Sequence, residues 1–248
     1  KESIAIDFKD VRGQSILLEL ARKADILIEN YKVGGLKAYG LDYESVRKVN
    51  PAIVYCSISG FGQDGPYAKK PGYDFIIQAM SGLMSITGTE KPTKVGVAVS
   101  DLIAGLYAAV GILGAYTRAR ETGQGEHIDI SLLESQLATL ANQASNYLVS
   151  GESPGLAGNA HPNIVPYQVF DTADDPIVVA VGNDGQFVSL CKAIGCEHLC
   201  DDPRFVSNSL RVTNRNALVG LLADELAKQP ADYWLQALED RGIPAGPV

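Results

Sequence analysis

The sequence predicts a doubly wound, mostly parallel α/β sheet followed by a smaller α+β domain. Strand-like and helix-like segments alternate along the first part of the chain, an order typical of a parallel sheet with helices on both faces. A stretch rich in Gly, Ser and Pro at 151–158 then interrupts the pattern. Two strands joined by a short turn follow it, and then three helices. We therefore expect a large domain over residues 1–157 and a small domain over residues 158–248.

In the large domain, alternating or β-branched apolar residues indicate strands, and apolar residues three or four positions apart indicate helices. The run Val-Gly-Val-Ala-Val at 95–99 predicts one such strand, which leads into a long helix of small residues beginning at Leu102. The predicted strands are 4–8, 25–30, 53–59, 95–99 and 126–130, and the predicted helices are 9–23, 43–49, 74–83, 102–120 and 132–148.

The small domain is predicted to begin with two strands, at 167–170 and 177–181, which an Asp- and Thr-rich turn connects. Helices are then predicted at 184–194, 215–228 and 231–241. Strands followed by helices, without alternation, are typical of an α+β domain.

The composition argues against several classes of partner. The formal net charge is −8 and no basic run is present, so no nucleic-acid partner is expected. Charges or turn residues are expected to interrupt every apolar stretch before it reaches the ~20 residues that span a bilayer, so no membrane partner is expected. The first residues carry no apolar signal region, and we expect a cytoplasmic protein.

A metal site is also not expected. Cys191, Cys196 and Cys200 lie close together in the sequence, with His198 among them, but they lack the C-x-x-C spacing of structural zinc sites. Reduced, partly buried thiols are the simpler interpretation.

The chemistry is expected at the carboxyl edge of the sheet, where ligands of doubly wound folds bind. Asn30, the glycine-rich segment 59–62 and Asp101 follow predicted strands and so meet at this edge. Asp101 could cap the following helix, since Ser and Asp are preferred caps. Alternatively, Ser100 caps the helix and Asp101 projects as a nucleophile. A carboxylate without a metal or a histidine base suits acyl transfer through a mixed anhydride, and glycine loops would offer N–H groups to the oxyanion.

Ordered short motifs along essentially the whole chain add to this interpretation. They are Glu29-Asn30-Tyr31, 40–43, Asn50-Pro51, 53–63, 65–67, 71–74, Gln78-Ala79, Ser81-Gly82, 100–102 with Gly105, and 122–129. In this order they resemble the class III CoA-transferase family, which includes formyl-CoA and carnitine CoA-transferases and α-methylacyl-CoA racemases. The segments 142–148, 163–168 and 182–187 look most similar to the branch that uses succinyl-CoA and dicarboxylic acids such as glutarate.

The resemblance implies a Rossmann-like large domain and a specific mechanism. Asp101 would attack an acyl-CoA to form an aspartyl–acyl anhydride and then an aspartyl-CoA thioester, and a carboxylic acid would reverse the sequence. No cofactor is implied beyond the CoA thioester substrate, and the partner is a second copy in an interlocked homodimer. The residues implied to contact CoA or the acyl group are Ile6, Asp7, Phe8, Lys9, Asn30, Tyr31, Lys32, Gly72, Tyr73 and Asp74, with Gly158 and His161 in a loop that covers the intermediate.

Two alternatives to a transferase follow from the same resemblance. The racemases place a histidine at the position of Tyr73, and a tyrosine is a poor base near neutral pH, so racemisation is disfavoured.

Family members also often carry an arginine at the position of Ala38, and they have an additional N-terminal unit and a C-terminal return segment that this sequence lacks. The second alternative is therefore a truncated, catalytically impaired module that dimerises or binds CoA.

Overall fold

The computed structural model describes residues 1–248 and divides into two compact units, Lys1–Leu156 and Ala157–Val248. The first unit contains a three-stranded parallel sheet and the second a three-stranded antiparallel sheet. The predicted fold class is confirmed.

The parallel sheet of the first unit has the strand order β1-β2-β3. Its strands are β1 (Ile26–Glu29), β2 (Val54–Ser59) and β3 (His127–Ser131). The central strand β2 is buried over its first four residues because it has a neighbour on each side and helices on both faces. In register, Leu27 of β1 lies beside Tyr55 of β2, which lies beside His127 of β3.

Helices cover both faces of this sheet, as a doubly wound fold requires. They are α1 (Val11–Lys23), α2 (Tyr43–Val49), α3 (Asp74–Met80), α4 (Leu83–Ile86), α5 (Val99–Thr122), α6 (Leu132–Ala138) and α7 (Ala141–Ser150). Ile53 and Tyr55 pack against α1 and α2 on one face, whereas Val54 and Cys56 pack against α5 on the other. The alternation of the strand therefore divides the core into two layers.

The helix α5 is long and apolar enough to cross a membrane by length and composition alone. Its uncharged part, residues 102–117, is shorter than the ~20 residues considered in the sequence, but the helix continues past the charges at both ends and its glycines do not break it. One side of α5 packs into the core of the unit, mostly through alanines at helical spacing, while apolar residues such as Leu106, Val110 and Leu113 are exposed. The residues packed into the core are Ala104, Ala108, Ile112, Ala115 and Ala119.

Two predicted strands, at 4–8 and 95–99, do not form. Neither segment pairs with a neighbouring strand, and β-branched content does not make a strand without a hydrogen-bonded partner. At the first, the Asp7 carboxylate accepts the Lys9 N–H and closes a turn instead. At the second, backbone groups bond to the side chain of Gln78.

Two predicted helices are interrupted. The segment 74–83 ends as α3, and Gly82 then adopts a left-handed conformation before α4. The segment 132–148 divides into α6 and α7, with Ala141 at a φ of 45°. There the Thr139 hydroxyl donates to the Gln136 carbonyl, a local bond that competes with helix continuation.

The second unit has the strand order β4-β5-β6, with β4 (Tyr167–Phe170), β5 (Ile177–Ala180) and β6 (Ala245–Pro247). Its helices are α8 (Asp184–Ala193), α9 (Asn208–Thr213), α10 (Arg215–Leu226) and α11 (Ala231–Glu239). One core joins them, around residues such as Phe187, Leu218 and Trp234. The sequence did not predict α9 or β6, which are short and lack a clear apolar period.

Candidate active site

The first turn of α5 holds Asp101, the predicted nucleophile. The helix begins after Ala98, whose side chain makes no capping bond, so Asp101 is the third helical residue. The backbone N–H of Ser100 donates to Oδ1 of Asp74 at 2.9 Å, and its hydroxyl donates to Oε1 of Gln136 at 2.8 Å. The expectation that Ser100 caps the helix was wrong. Asp74, from α3, accepts the helix N–H group instead.

A buried glutamine fixes the segment that enters α5. Gln78 is 0% exposed. Its Nε2 donates to Oδ2 of Asp74 at 2.8 Å and to the carbonyl of Val97 at 3.3 Å, and its Oε1 accepts the N–H of Val95 at 2.8 Å. One side chain thus joins α3 to the backbone that precedes Asp101.

The Asp101 carboxylate is exposed, and its environment opposes ionisation. The positive end of the α5 dipole favours a negative charge at this position. Partial desolvation, and after it the negative charge of Asp74, act in the other direction and raise the pKa of Asp101 above its ordinary value.

Asp101 follows no strand, so the expectation that it would lie at the end of a strand of the sheet was wrong. The loop that leads to Asp74, which bonds to this turn, meets a second glycine loop. A Cβ atom on Gly72 would lie 2.7 Å from the Cα of Gly60, so the loop after β2 and the loop before α3 touch. Asp129 of β3 accepts the N–H of Gln63 at 2.8 Å and holds the first of these loops. The side chain of Tyr73, between Gly72 and Asp74, is 75% exposed.

The structure also brings together predicted residues from the segment before α1 and from the loop after β1. The rings of Phe8 and Tyr31 are in edge contact at 5.5 Å between centroids, so the segment 6–9 lies against the loop after β1. Ile6 and the carbonyl of Asp7 lie close to Gly13 of α1, where a Cβ would be only 2.0 Å from the Asp7 oxygen. Asn30 precedes Tyr31 in the same loop.

Lys32, in this loop, lines a cavity of about 250 Å³ that the sequence did not predict. The cavity is also lined by Ser57 and His127, whose Oγ and Nε2 atoms lie 2.9 Å apart. His127 stacks on Tyr43 at 5.0 Å between centroids. Asp101 is not among the residues that line this cavity.

Gly158 and His161 belong to the second unit. Gly158 has a φ of +57°, which a residue with a side chain adopts at a cost. The N–H of His161 donates to the carbonyl of Tyr167, and Arg215 donates to the carbonyls of His161 and Pro162. His161 is therefore held by contacts within the second unit.

The whole chain matches a known protein family. A profile described as CoA-transferase family III covers residues 1–248. A succinate–glutarate CoA-transferase of Agrobacterium fabrum is 48% identical over 250 residues, with 100% of this chain and 62% of that protein covered. An acetyl-CoA:oxalate CoA-transferase of Acetobacter aceti is 43% identical over 251 residues, covering 100% of this chain and 64% of that protein.

A solved structure agrees with these sequence matches. The crystal structure of a CAIB/BAIF family protein from Brucella suis superimposes with a TM-score of 0.84 at 48% identity, covering 100% of this chain and 66% of that one. The chain therefore spans less than two thirds of the length of each of these relatives. With the family profile matched from end to end and the fold shared, this chain belongs to CoA-transferase family III.

Proposed function

We propose that this chain provides the nucleophile of a CoA-transferase, which moves CoA from an acyl-CoA to a carboxylic acid through covalent intermediates on Asp101. One observation supports the proposal most directly. Asp101 is exposed at the start of α5, while Asp74 and Gln136 accept the bonds that hold this turn. Its carboxylate is therefore presented to solvent by a fixed backbone and is not used as a cap.

The proposed reaction needs no external base. A carboxylate oxygen of Asp101 attacks the thioester carbonyl, the C–S bond breaks and CoA leaves as a thiolate. The thiolate then attacks the aspartyl carbonyl of the anhydride, which releases the donor acid as a carboxylate and leaves an aspartyl-CoA thioester. The acceptor carboxylate repeats these two steps in reverse order and regenerates Asp101. N–H groups of the touching Gly60 and Gly72 loops would stabilise the oxyanions.

The remaining predicted residues are assigned within this proposal. Tyr73 is assigned to the acyl group, and Lys32 and the Phe8–Tyr31 contact to CoA. Gly158 and His161 are assigned to a loop that covers the intermediate. Succinyl-CoA as donor is supported by the name of the first relative, which refers to succinate and glutarate. A dicarboxylic acid as acceptor is supported by both names, although the second refers to acetyl-CoA together with oxalate. A homodimer is proposed from the family resemblance.

The test is a search for the covalent intermediate. The protein is incubated with succinyl-CoA, quenched in acid and analysed by mass spectrometry. We expect a CoA or succinyl adduct on the wild-type chain and none on Asp101→Asn. Glu121→Gln, which removes another acidic residue near the far end of α5, is the matched control and should keep the adduct.

Three other outcomes would contradict the proposal. An adduct that persists in Asp101→Asn would place the chemistry on another residue. No adduct with any acyl-CoA would favour the module that dimerises or binds CoA. Exchange of the α-proton for deuterium without transfer of CoA would favour the racemase.

A further inference from the structure

We propose that Gln78, acting through Asp74, is a positioning residue that fixes where the Asp101 carboxylate is presented. The inference rests on the proposed role of Asp101 as nucleophile. The family resemblance gives Gln78 no role and assigns Asp74 to substrate binding. The inference gives both residues a role within the protein.

The first step is the burial of the glutamine. An amide that loses its water must find its hydrogen bonds within the protein, because an unsatisfied buried polar group costs about 1–3 kcal/mol. Gln78 is 0% exposed and makes three bonds, two as donor and one as acceptor. A hydrocarbon side chain would fill this position in an ordinary core. The amide is explained by the polar groups that it joins.

The second step is the position of those groups. Val95 and Val97 lie in the irregular segment that enters α5, and their backbone groups have no strand partner. Gln78, on α3, supplies the partner of the Val95 N–H and a second donor to the Val97 carbonyl, which also accepts the Val99 N–H at 2.9 Å. This side chain therefore ties the segment that enters α5 to α3.

The third step concerns Asp74. Its Oδ1 accepts the N–H of Ser100 and its Oδ2 accepts Nε2 of Gln78, so each oxygen already binds a protein donor. This occupation favours a role within the protein over a role as a substrate ligand. Ser100 immediately precedes Asp101 in the chain. By accepting the Ser100 N–H, Asp74 fixes the turn from which Asp101 projects. Asp74 is also the charged residue that opposes ionisation of Asp101.

A matched control exists in the same unit. Asn50 also makes three bonds, with Nδ2 donating to the carbonyls of Ala21 and Ala24 and Oδ1 accepting the N–H of Ala52. It lies before β2, at the opposite end of the sheet from the Gly60 loop. Asn50→Leu therefore removes a comparable set of bonds without touching α3 or α5. Gln78→Met is the corresponding change at the proposed position.

The first measurement is amide hydrogen exchange of the whole chain, which needs no substrate. In Gln78→Met we expect exchange at Ser100 and Leu102, whose N–H groups bond to Asp74 and to the Ala98 carbonyl, to accelerate about tenfold or more, because the turn opens more often when its anchor is removed. In Asn50→Leu we expect both amides to exchange as in the wild type, although the protein unfolds more easily. Equal exchange in the two variants would overturn the proposal.

The second measurement is the NMR titration of the Asp101 carboxyl carbon. Asp74→Asn keeps an oxygen that can accept the Ser100 N–H but removes the negative charge. We expect Asp101 to ionise at lower pH in this variant than in the wild type. An unchanged titration would show that Asp74 does not act on Asp101. This variant also tests the inference if Gln78→Met does not fold.

The third measurement is the rate of adduct formation with succinyl-CoA. We expect Gln78→Met to lower the rate at saturating substrate about tenfold with little change in the half-saturating concentration, because a misplaced nucleophile loses reaction rate more than binding. A wild-type rate in this variant would contradict the inference. If the wild type forms no adduct while the exchange and titration change as expected, the proposed function fails and the positioning stands.

Discussion

Arg211 shows how burial determines what a single residue contributes. It is 1% exposed, and its guanidinium donates to the carbonyls of Val165 and Phe205 and to Oδ1 of Asp184 at 2.7 Å. The guanidinium also lies 4.4 Å from the ring centroid of Phe187. The pair Arg204–Asp202 has the same 2.7 Å separation but an arginine side chain that is 52% exposed. The Arg211 guanidinium is shielded from water although its partner Asp184 is 61% exposed, whereas the Arg204 guanidinium is itself solvated.

We therefore expect Arg211→Met to lower the free energy of unfolding by about 2–6 kcal/mol, because it leaves two buried carbonyls without donors at about 1–3 kcal/mol each. Arg204→Met is the matched control and should cost less than about 1 kcal/mol. Urea unfolding followed by fluorescence of the only tryptophan, Trp234, measures both. Equal losses in the two variants would contradict the role assigned to burial.

Individual site residues also differ in whether the sequence alone could predict them. Asp101 was identifiable because an aspartate beside a serine at a predicted helix start has few roles, and the resemblance then separated them. Gln78 gave no comparable signal. Its partners are backbone groups of Val95 and Val97 and a carboxylate one helical turn away, and only the folded chain brings them together.

At the scale of elements, the contact between Gly60 and Gly72 joins the two loops beside Asp101. A Cβ on Gly72 would lie 2.7 Å from a backbone atom of Gly60 and 3.0 Å from the ring of Phe61. Backbone cannot move aside as a flexible side chain can, so a methyl group at this position must separate the loops.

We expect Gly72→Ala to destabilise the first unit by about 1–3 kcal/mol, because the added methyl group has no space. Gly114→Ala is the control within α5, where a Cβ would have no neighbour within 4 Å. It should stabilise the protein by about 0.5–1 kcal/mol, since alanine favours the helix over glycine. Thermal unfolding followed by circular dichroism gives the sign of both changes. Two changes of the same sign would contradict the close approach of the loops.

The predicted elements that failed have a common physical reason. The segments 4–8 and 95–99 contain strand-forming residues, but a strand exists only where a neighbour pairs with it. The strand β6 was missed for the converse reason. Ala245, Gly246 and Pro247 do not favour strands and form one only by pairing with β5. Long elements with a clear period, such as α1 and α5, were predicted to within a few residues.

At the scale of the molecule, two domains were predicted because the order of elements changes near 151–158. Strands and helices alternate before this segment, whereas after it two strands come first and the helices follow. Each unit has its own buried clusters, and the second unit has one continuous core. In that core Trp234 is 5% exposed and its Nε1 donates to the carbonyl of Leu226 at 2.7 Å. A unit with a core of its own can fold without the rest of the chain.

We therefore expect residues 157–248, expressed alone, to fold cooperatively with Trp234 buried. The measurement is tryptophan fluorescence during urea unfolding, in which a blue-shifted emission gives way to that of an exposed indole. The control fragment 157–243 lacks β6 and the bond from the Ala180 N–H to the Pro244 carbonyl. In this fragment β5 pairs only with β4 and becomes an edge strand. It should unfold at lower urea concentration. Emission of an exposed tryptophan from both fragments in buffer would show that the second unit depends on the first for its fold.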